Sequence, residues 1–291
     1  MNAIRLQVPA KINLCLSVFG ERPDGYHDVG MLMQMVGLYD EVQVSVGGTG
    51  ISVSCNNSSI PSGEGNIAWK AAAAMLRLSG GKAGLAIDIR KSIPVAAGLG
   101  GGSGDAAAVL LAANRLLGTG LDREQLAEVG AGLGMDVPFF FFGPLAIARG
   151  RGEILSSLPP FPGFWVLLVN PGFETSTAWV YKNVNLRLTK KIDCTKILRL
   201  TVRNIAEGLH NDLETVTAAA HPIIHRIEEA LLDQGASGAL MSGSGPTVFG
   251  IFETSDACRA AAQKLSGEGW KLYPAEALTV SPFAAYLDSA I

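Results

Sequence analysis

The chain has no excess of charge of either sign. Its 291 residues hold 23 Lys and Arg against 26 Asp and Glu, a formal net charge of −3. Nothing in that balance points to nucleic acid. Charged residues are only 17% and apolar residues 48%, which excludes intrinsic disorder. Cysteine is scarce. Cys15, Cys55, Cys194 and Cys258 are 40, 139 and 64 residues apart, and no C-x-x-C pair exists. That excludes zinc-knuckle and dithiol motifs, and the scattered spacing fits a reducing cytosol. There are four histidines, and none supports a Ser-His-Asp order. His221 and His225 are four apart, but Pro222 and the missing Glu remove any H-E-x-x-H reading. The longest apolar stretch, Val137–Ala148, is broken by Gly143-Pro144 and falls far short of the ~20 residues of a spanning helix. The opening MNAIRLQVPAKINL has no basic segment leading into an apolar one. The expectation is a cytoplasmic chain without a signal peptide and without a membrane partner.

Glycine is plentiful: 35 residues, about 12% against a usual ~7%. Ile4, Leu6 and Val8 alternate as in a strand. Beyond Pro9 the alternation puts Ile12, Leu14, Leu16 and Val18 on one face and Lys11, Asn13, Cys15 and Ser17 on the other. Val42–Val46 and Ile51–Cys55, separated by Gly47-Gly48-Thr49-Gly50, read as a hairpin. Asn66 is placed to cap an Ala-rich helix from Ile67 to Leu78. After a strand at Leu85–Ile89 and a Gly-rich loop, a helix is expected over Asp105–Leu117. Asp122 with Gln125 resembles a capping box. Phe139 to Phe142 reads as core. Later come a strand at Phe164–Val169, an amphipathic helix at Ile223–Leu232, and paired strands at Ala239–Ser242 and Thr247–Phe252. A helix at Asp256–Leu265 and a last strand at Leu278–Ser281 complete the pattern. Strands and helices interleave without strict alternation, which favours α+β over a doubly wound sheet. The Pro- and Gly-rich stretch from Arg149 to Pro162 marks a domain boundary, giving 1–152 and 153–291.

The Gly-rich loop carries the clearest chemistry. Five of the seven residues from Gly98 to Gly104 are glycine. Such a loop lets backbone N–H groups turn inward and approach an anion, and the helix behind it adds its positive end. Ser103 offers a hydroxyl to a phosphate oxygen or to Mg²⁺. The Walker A pattern is absent. Gly102 to Ala107 matches G-x-G-x-x-A, but the loop does not follow its strand directly and the next element from Asp122 is helical. A dinucleotide fold, and with it hydride transfer, is therefore disfavoured. Lys11 and Asn13 read most simply as a solvated strand face, and Asp136 as an ordinary turn residue in Gly134-Met135-Asp136-Val137-Pro138. Tyr26, on the turn after Arg22-Pro23-Asp24-Gly25, reads equally as a stacking platform and as a lid on the core.

Taken together, three segments resemble the motifs of the GHMP kinases, in the right order and over nearly the whole chain. They are Pro9-Ala10-Lys11-Ile12-Asn13-Leu14, Pro94 through Ala107, and Met241-Ser242-Gly243-Ser244-Gly245-Pro246. Arg22 through His27 and Gly134 through Pro138 resemble one branch of that family, whose acceptor is a cytidine-diphosphate sugar alcohol. The resemblance implies an N-terminal domain like ribosomal protein S5 domain 2, a ferredoxin-like C-terminal domain, and an active site between them. It implies an ATP-dependent kinase using Mg²⁺. It casts Asp136 as catalytic base, Lys11 as its partner and Asn13 as a substrate contact. Tyr26 would stack on cytosine, His27 would hydrogen-bond it, and Tyr181 would close the other side. Pro94, Gly98, Leu99, Gly100, Gly101, Gly102, Ser103 and Gly104 would hold the ATP phosphates, Ser103 would also hold the metal, and Asn66 and Lys91 would sit on the adenosine side. One departure stands out: the loop commonly reads G-G-G-S-S, whereas here Gly104 follows Ser103. Other kinases of small alcohols, and a non-catalytic binding protein on the same fold, are the alternative readings.

Overall fold

A computed structural model describes residues 2–287 apart from 82, 188, 191 and 200. Its frame is a long antiparallel pair, β1 (Ala3–Glu21) and β2 (His27–Val46). β3 (Ile51–Cys55) and β4 (Leu85–Arg90) extend one edge, and β5 (Leu145–Arg149) and β6 (Ile154–Ser157) continue from β2 elsewhere along its length. A second, antiparallel sheet is built from β7 (Trp165–Asn170), β9 (Gly238–Met241), β10 (Val248–Phe252) and β11 (Lys271–Glu276), in the order β11-β7-β10-β9. Between them in sequence, the short β8 (His210–Asn211) pairs in parallel with β1 at Cys15 and Leu16.

Helices fill the faces. α1 (Ile67–Leu78) and α2 (Gly101–Leu117) lie on the first sheet, with α3 (Arg123–Ala131) and α4 (Phe139–Phe142) behind them. α5 (Thr177–Lys182) and α6 (Glu214–Ala220) precede α7 (Ile223–Asp233) and α8 (Ser255–Leu265), which cover the second sheet. Local chemistry explains several ends. Asn66 accepts the Ala68 N–H and starts α1, and Asp122 with Gln125 forms a reciprocal capping box on α3. The Ala106–Ala113 stretch of α2 is wholly buried because small side chains let it approach β1 and β2 closely.

The first core joins Val8, Met33, Val42, Ala107 and Phe140, together with Phe283 from near the C-terminal end. A second core lies between the sheets, where Ile12, Leu14, Leu32 and Val36 meet Val166, Leu168 and Phe249. A third holds α7 and α8 on the far face, through Ile227, Leu231 and Cys258 against Val169 and Val248.

Several expectations change. Register shifts between Pro9 and Ala10 and between Asn13 and Cys15 exchange the faces of β1. Ile12 and Leu14 therefore enter the second core, whereas Leu16 and Val18 enter the first. The opposite face is not solvated either: Lys11, Asn13, Cys15 and Ser17 are all buried. The expected hairpin is replaced by an insertion, since β4 sits between β2 and β3 and pairs with β3 in parallel. Turn glycines marked a chain reversal but not its partner. α2 begins at Gly101, four residues before the expected start, because its glycine-rich first turn disguises a helix. Leu278–Ser281 forms no strand. Among the described residues the last strand is β11, whose alternation is weak and interrupted by Pro274. Cys15 and Cys194 are joined in a disulfide across 179 residues of sequence, a pairing no local spacing signals, while Cys55 and Cys258 are free. The expected division after residue 152 falls inside the β5–β6 hairpin, so the chain changes sheet only across 158–164.

A carboxyl pair supports the second sheet. Glu214 Oε2 accepts the Met241 N–H at 2.8 Å, and Glu228 Oε1 is buried beside it with no hydrogen-bond partner in the structure. Burial, and then the facing Glu228, push the Glu214 carboxyl up to about 8. The folded state then holds a proton that the unfolded chain releases above the ordinary glutamate range. Stability contributed here is present at low pH and is lost as pH rises from about 4.5 to 8. The expected result is that Glu214→Gln gains in Tm relative to the parent chain as pH is raised across that window. A pH-independent difference would contradict this assignment.

Candidate active site

A cleft of about 1040 Å³ opens between the glycine-rich loop, the second half of β1, the 134–136 turn and α5. Its floor is β1. The Lys11 backbone N–H donates to Leu99 O at 2.9 Å, tying strand to loop. The Lys11 side chain is only 5% exposed. Its ammonium donates to Asn13 Oδ1 at 2.8 Å and pairs with Asp136 Oδ2 at 3.2 Å. Asp136 remains 31% exposed, so one end of this pair meets the open cleft. A buried ammonium needs such partners, because desolvation without them costs several kcal/mol.

The loop after β4 explains its glycines. Gly98 and Gly100 have φ of +77° and +69°, in the left-handed region. A Cβ on Gly98 would lie 2.0 Å from Ser242 O, and one on Gly100 would lie 2.8 Å from Lys11 Cγ. The loop is braced from behind. The Ser242 hydroxyl donates to Gly98 O at 3.0 Å and accepts from the Asn13 N–H at 3.4 Å. Asn211 holds Ser242's neighbours, donating to both Met241 O and Gly243 O at 2.8 Å. The first turn of the 17-residue α2 thus points its N–H groups at the cleft from a fixed position.

All expected site residues but one line this cleft. The exception is Gly104. It is buried, its N–H donates to Gly100 O within α2, and a Cβ there would lie 2.6 Å from Val8 Cγ1 and 3.0 Å from the Phe140 ring. The position faces the core and not the phosphate side. Asn66 and Lys91 line the cleft but are already engaged. Asn66 accepts from Ala68 and donates to Pro61 O at 2.8 Å. Lys91 is held between Asp40 and Asp105, the latter at 2.8 Å. Burial disfavours its ammonium, but the two carboxylates outweigh that and raise its pKa. Asp105 is pushed up to about 7 by burial, with Lys91 opposing and Asp40 adding to the shift.

The far end of the cleft is aromatic. Tyr26 is 46% exposed, and the Arg151 guanidinium lies 5.1 Å from its ring centre. His27 and Tyr181 are tilted together with ring centres 5.3 Å apart. Burial and then the charge of Asp136 push the Tyr181 phenol up, so it stays a hydrogen-bond donor. Sequence reasoning did not single out Arg151, Thr177, Asp40 or Asp105. Thr177 shares a 2.8 Å hydrogen bond with Ser244 at the cleft wall. An isolated Arg or Thr carries no local signal of such a place.

Comparison with known proteins shows the family. The model of the GHMP kinases N terminal domain matches residues 66–144, and that of the GHMP kinases C terminal domain matches 196–271. The chain is 51% identical over 282 residues to the 4-diphosphocytidyl-2-C-methyl-D-erythritol kinase of Pelobacter propionicus, covering 96% of this chain and 100% of that one. It is 52% identical to the enzyme of that name from Syntrophotalea carbinolica, covering 92% and 96%. Among solved structures it is similar to a 4-(cytidine 5'-diphospho)-2C-methyl-D-erythritol kinase, with a TM-score of 0.81 and 34% identity over 94% of this chain and 98% of that chain. The fold also matches a homoserine kinase from Cytophaga hutchinsonii, with a TM-score of 0.72 at 19% identity over 96% and 95%.

The setting of Gly104 is testable. Gly104→Ser forces a side chain against Val8 and Phe140, and overpacking of this kind costs about 1–3 kcal/mol. A lowered Tm with no gain in ATP affinity is expected. Tighter ATP binding would mean that position 104 does reach the phosphates.

Proposed function

The chain belongs to the GHMP kinases, in the branch of the 4-diphosphocytidyl-2-C-methyl-D-erythritol kinases, and we propose how its cleft carries out that reaction. The reaction is transfer of the γ-phosphoryl group of ATP to the 2-hydroxyl of 4-diphosphocytidyl-2-C-methyl-D-erythritol, in non-mevalonate isoprenoid precursor synthesis. The observation that carries the residue roles is the Lys11–Asp136 pair, set directly against the loop at Gly100.

Phosphoryl transfer asks mainly for positioning and charge stabilisation. The partly exposed Asp136 carboxylate accepts the proton of the acceptor hydroxyl. Lys11, pinned by Asn13, pairs with that carboxylate and steadies charge on the group in transit. Backbone N–H groups from Gly98 to Ser103 and the N-terminus of α2 receive the ATP phosphates. Mg²⁺ keeps several waters and is held by one or two carboxylates plus substrate phosphates, and the oxygen donors Ser103 and Asp136 both line this cleft. Ser103 Oγ would hold it, and the ion would neutralise developing phosphate charge. Among the described residues, the only cluster of three His, Cys, Asp or Glu ligands is Glu214, His225 and Glu228, outside this cleft.

Tyr26 supplies a flat surface for cytosine, His27 bonds the base edge, and Tyr181 closes the opposite side. Among the described residues no helix is long and apolar enough to cross a membrane. We assign the chain to the cytoplasm, where ATP is available, and to small-molecule substrates without a nucleic-acid partner. The Cys15–Cys194 disulfide is the feature that a reducing compartment opposes.

Steady-state kinetics test this reading. Asp136→Asn is expected to cut kcat by about 10²–10⁴ with ATP binding little changed. Tyr26→Ala is expected to raise KM for the cytidylyl acceptor about 5- to 150-fold, while KM for ATP hardly moves. Equal use of methylerythritol phosphate and its cytidylyl derivative by the parent chain would remove the cytidine subsite.

A further inference from the structure

Beneath the phosphate loop lies a carboxylate that the reaction chemistry does not use. Asp40, on β2, is fully buried, its side chain 0% exposed. Its Oδ1 accepts two successive backbone N–H groups, from Ser92 at 2.7 Å and Ile93 at 2.9 Å. Its Oδ2 is ion-paired with the Lys91 ammonium. These three donors belong to consecutive residues, and they are the ones through which the chain leaves β4 and turns into the loop. The same cluster forms the seat of the first residue of α2. A Cβ on Gly101 would lie 3.0 Å from Lys91 Nζ, 3.0 Å from Ile93 Cγ2 and 3.3 Å from Asp40 Oδ2. No slack separates the cluster from the backbone that receives phosphate.

We propose that Asp40 is the positioning residue of the nucleotide side, fixing the loop's path through Ser92 and Ile93 and the seat of Gly101 through Lys91. The inference rests on the kinase reading above, but only on its nucleotide half. Several features favour a charge-dependent role over plain packing. An alkyl side chain of similar size would strand two N–H groups and a buried ammonium, which hydrogen bonds to a charged acceptor satisfy most strongly. Lys91 has a second carboxylate partner in Asp105, four residues along α2 from Gly101, so without Asp40 the ammonium is held from the helix alone and no longer from β2. Among the described residues Lys11, Asn13 and Asp136 make no ion pair or hydrogen bond with Asp40 or Lys91, although Lys11 meets the same loop at Leu99 and Gly100.

Asp40→Asn keeps the shape and one acceptor oxygen but removes the charge. The expected result is a 10- to 100-fold rise, to order of magnitude, in the Kd for MgADP by calorimetric titration and a matching rise in KM for ATP. KM for the acceptor should change less than about twofold, because Asp40 makes its bonds to Lys91, Ser92 and Ile93 and to none of the acceptor residues. Unchanged nucleotide affinity, or a parallel rise of both KM values as from general loosening, would overturn the proposal. Because MgADP binding is read directly, the result stands whether or not the acceptor is the cytidylyl compound. Should the variant not fold, amide hydrogen exchange on the parent chain decides. Ser92 is an exposed loop residue, yet its N–H, and that of Ile93, should exchange at the rate of core amides in the nucleotide-free protein. Exchange at the rate of free loop amides would refute the role of Asp40.

Discussion

A single buried ammonium organises the centre of this molecule. Lys11 sits in the middle of β1, where its side chain is only 5% exposed, and its ammonium meets Asn13 and Asp136 there. Those partners come from β1 and from the 134–136 turn after α3. The stem of Lys11 also packs so tightly on the loop that position 100 has no room for a Cβ. One side chain therefore brings together the strand, the loop and the turn. The glycines at 98 and 100 follow from that crowding as much as from any need to approach a phosphate.

The two-sheet architecture keeps that arrangement in place. The second core joins the middle of β1 to β7 and β10, so the loop around Ser242 meets the phosphate loop from behind. β8 adds a parallel strand to β1 and from there sends Asn211 to the same loop. The cleft is thus walled by segments from across the chain, several of them tied together by hydrogen bonds. Asp40 does the corresponding work on the nucleotide side, where two backbone N–H groups and an ammonium converge on one carboxylate.

How much of this was legible beforehand depends on the range of the interaction. Caps and glycine-rich turns act over three or four residues, so Asn66, the Asp122–Gln125 box and the loop from Pro94 could be read directly. The face of β1 could not, because a bulge reverses alternation and leaves no mark in a pattern of apolar residues. Lys11 and Asn13 read as solvated for the same reason, and only the resemblance to known kinases singled them out. The Cys15–Cys194 bridge, the insertion of β4 between β2 and β3, and Arg151 against Tyr26 depend on contacts between segments far apart in sequence. Gly104 shows the converse. The loop composition assigned it to phosphate, whereas its contacts with Val8 and Phe140 assign it to the core.

The central claim is that Lys11 and Asp136 act as one catalytic unit. It is tested most directly by a kinetic double-mutant cycle on kcat, comparing Lys11→Met, Asp136→Asn and the double variant, with MgADP binding measured alongside to show that each is folded. Residues that work as a unit are grossly non-additive. The account predicts that the double variant is no slower than the slower single variant. Losses that multiply, with MgADP affinity intact in all three, would contradict it.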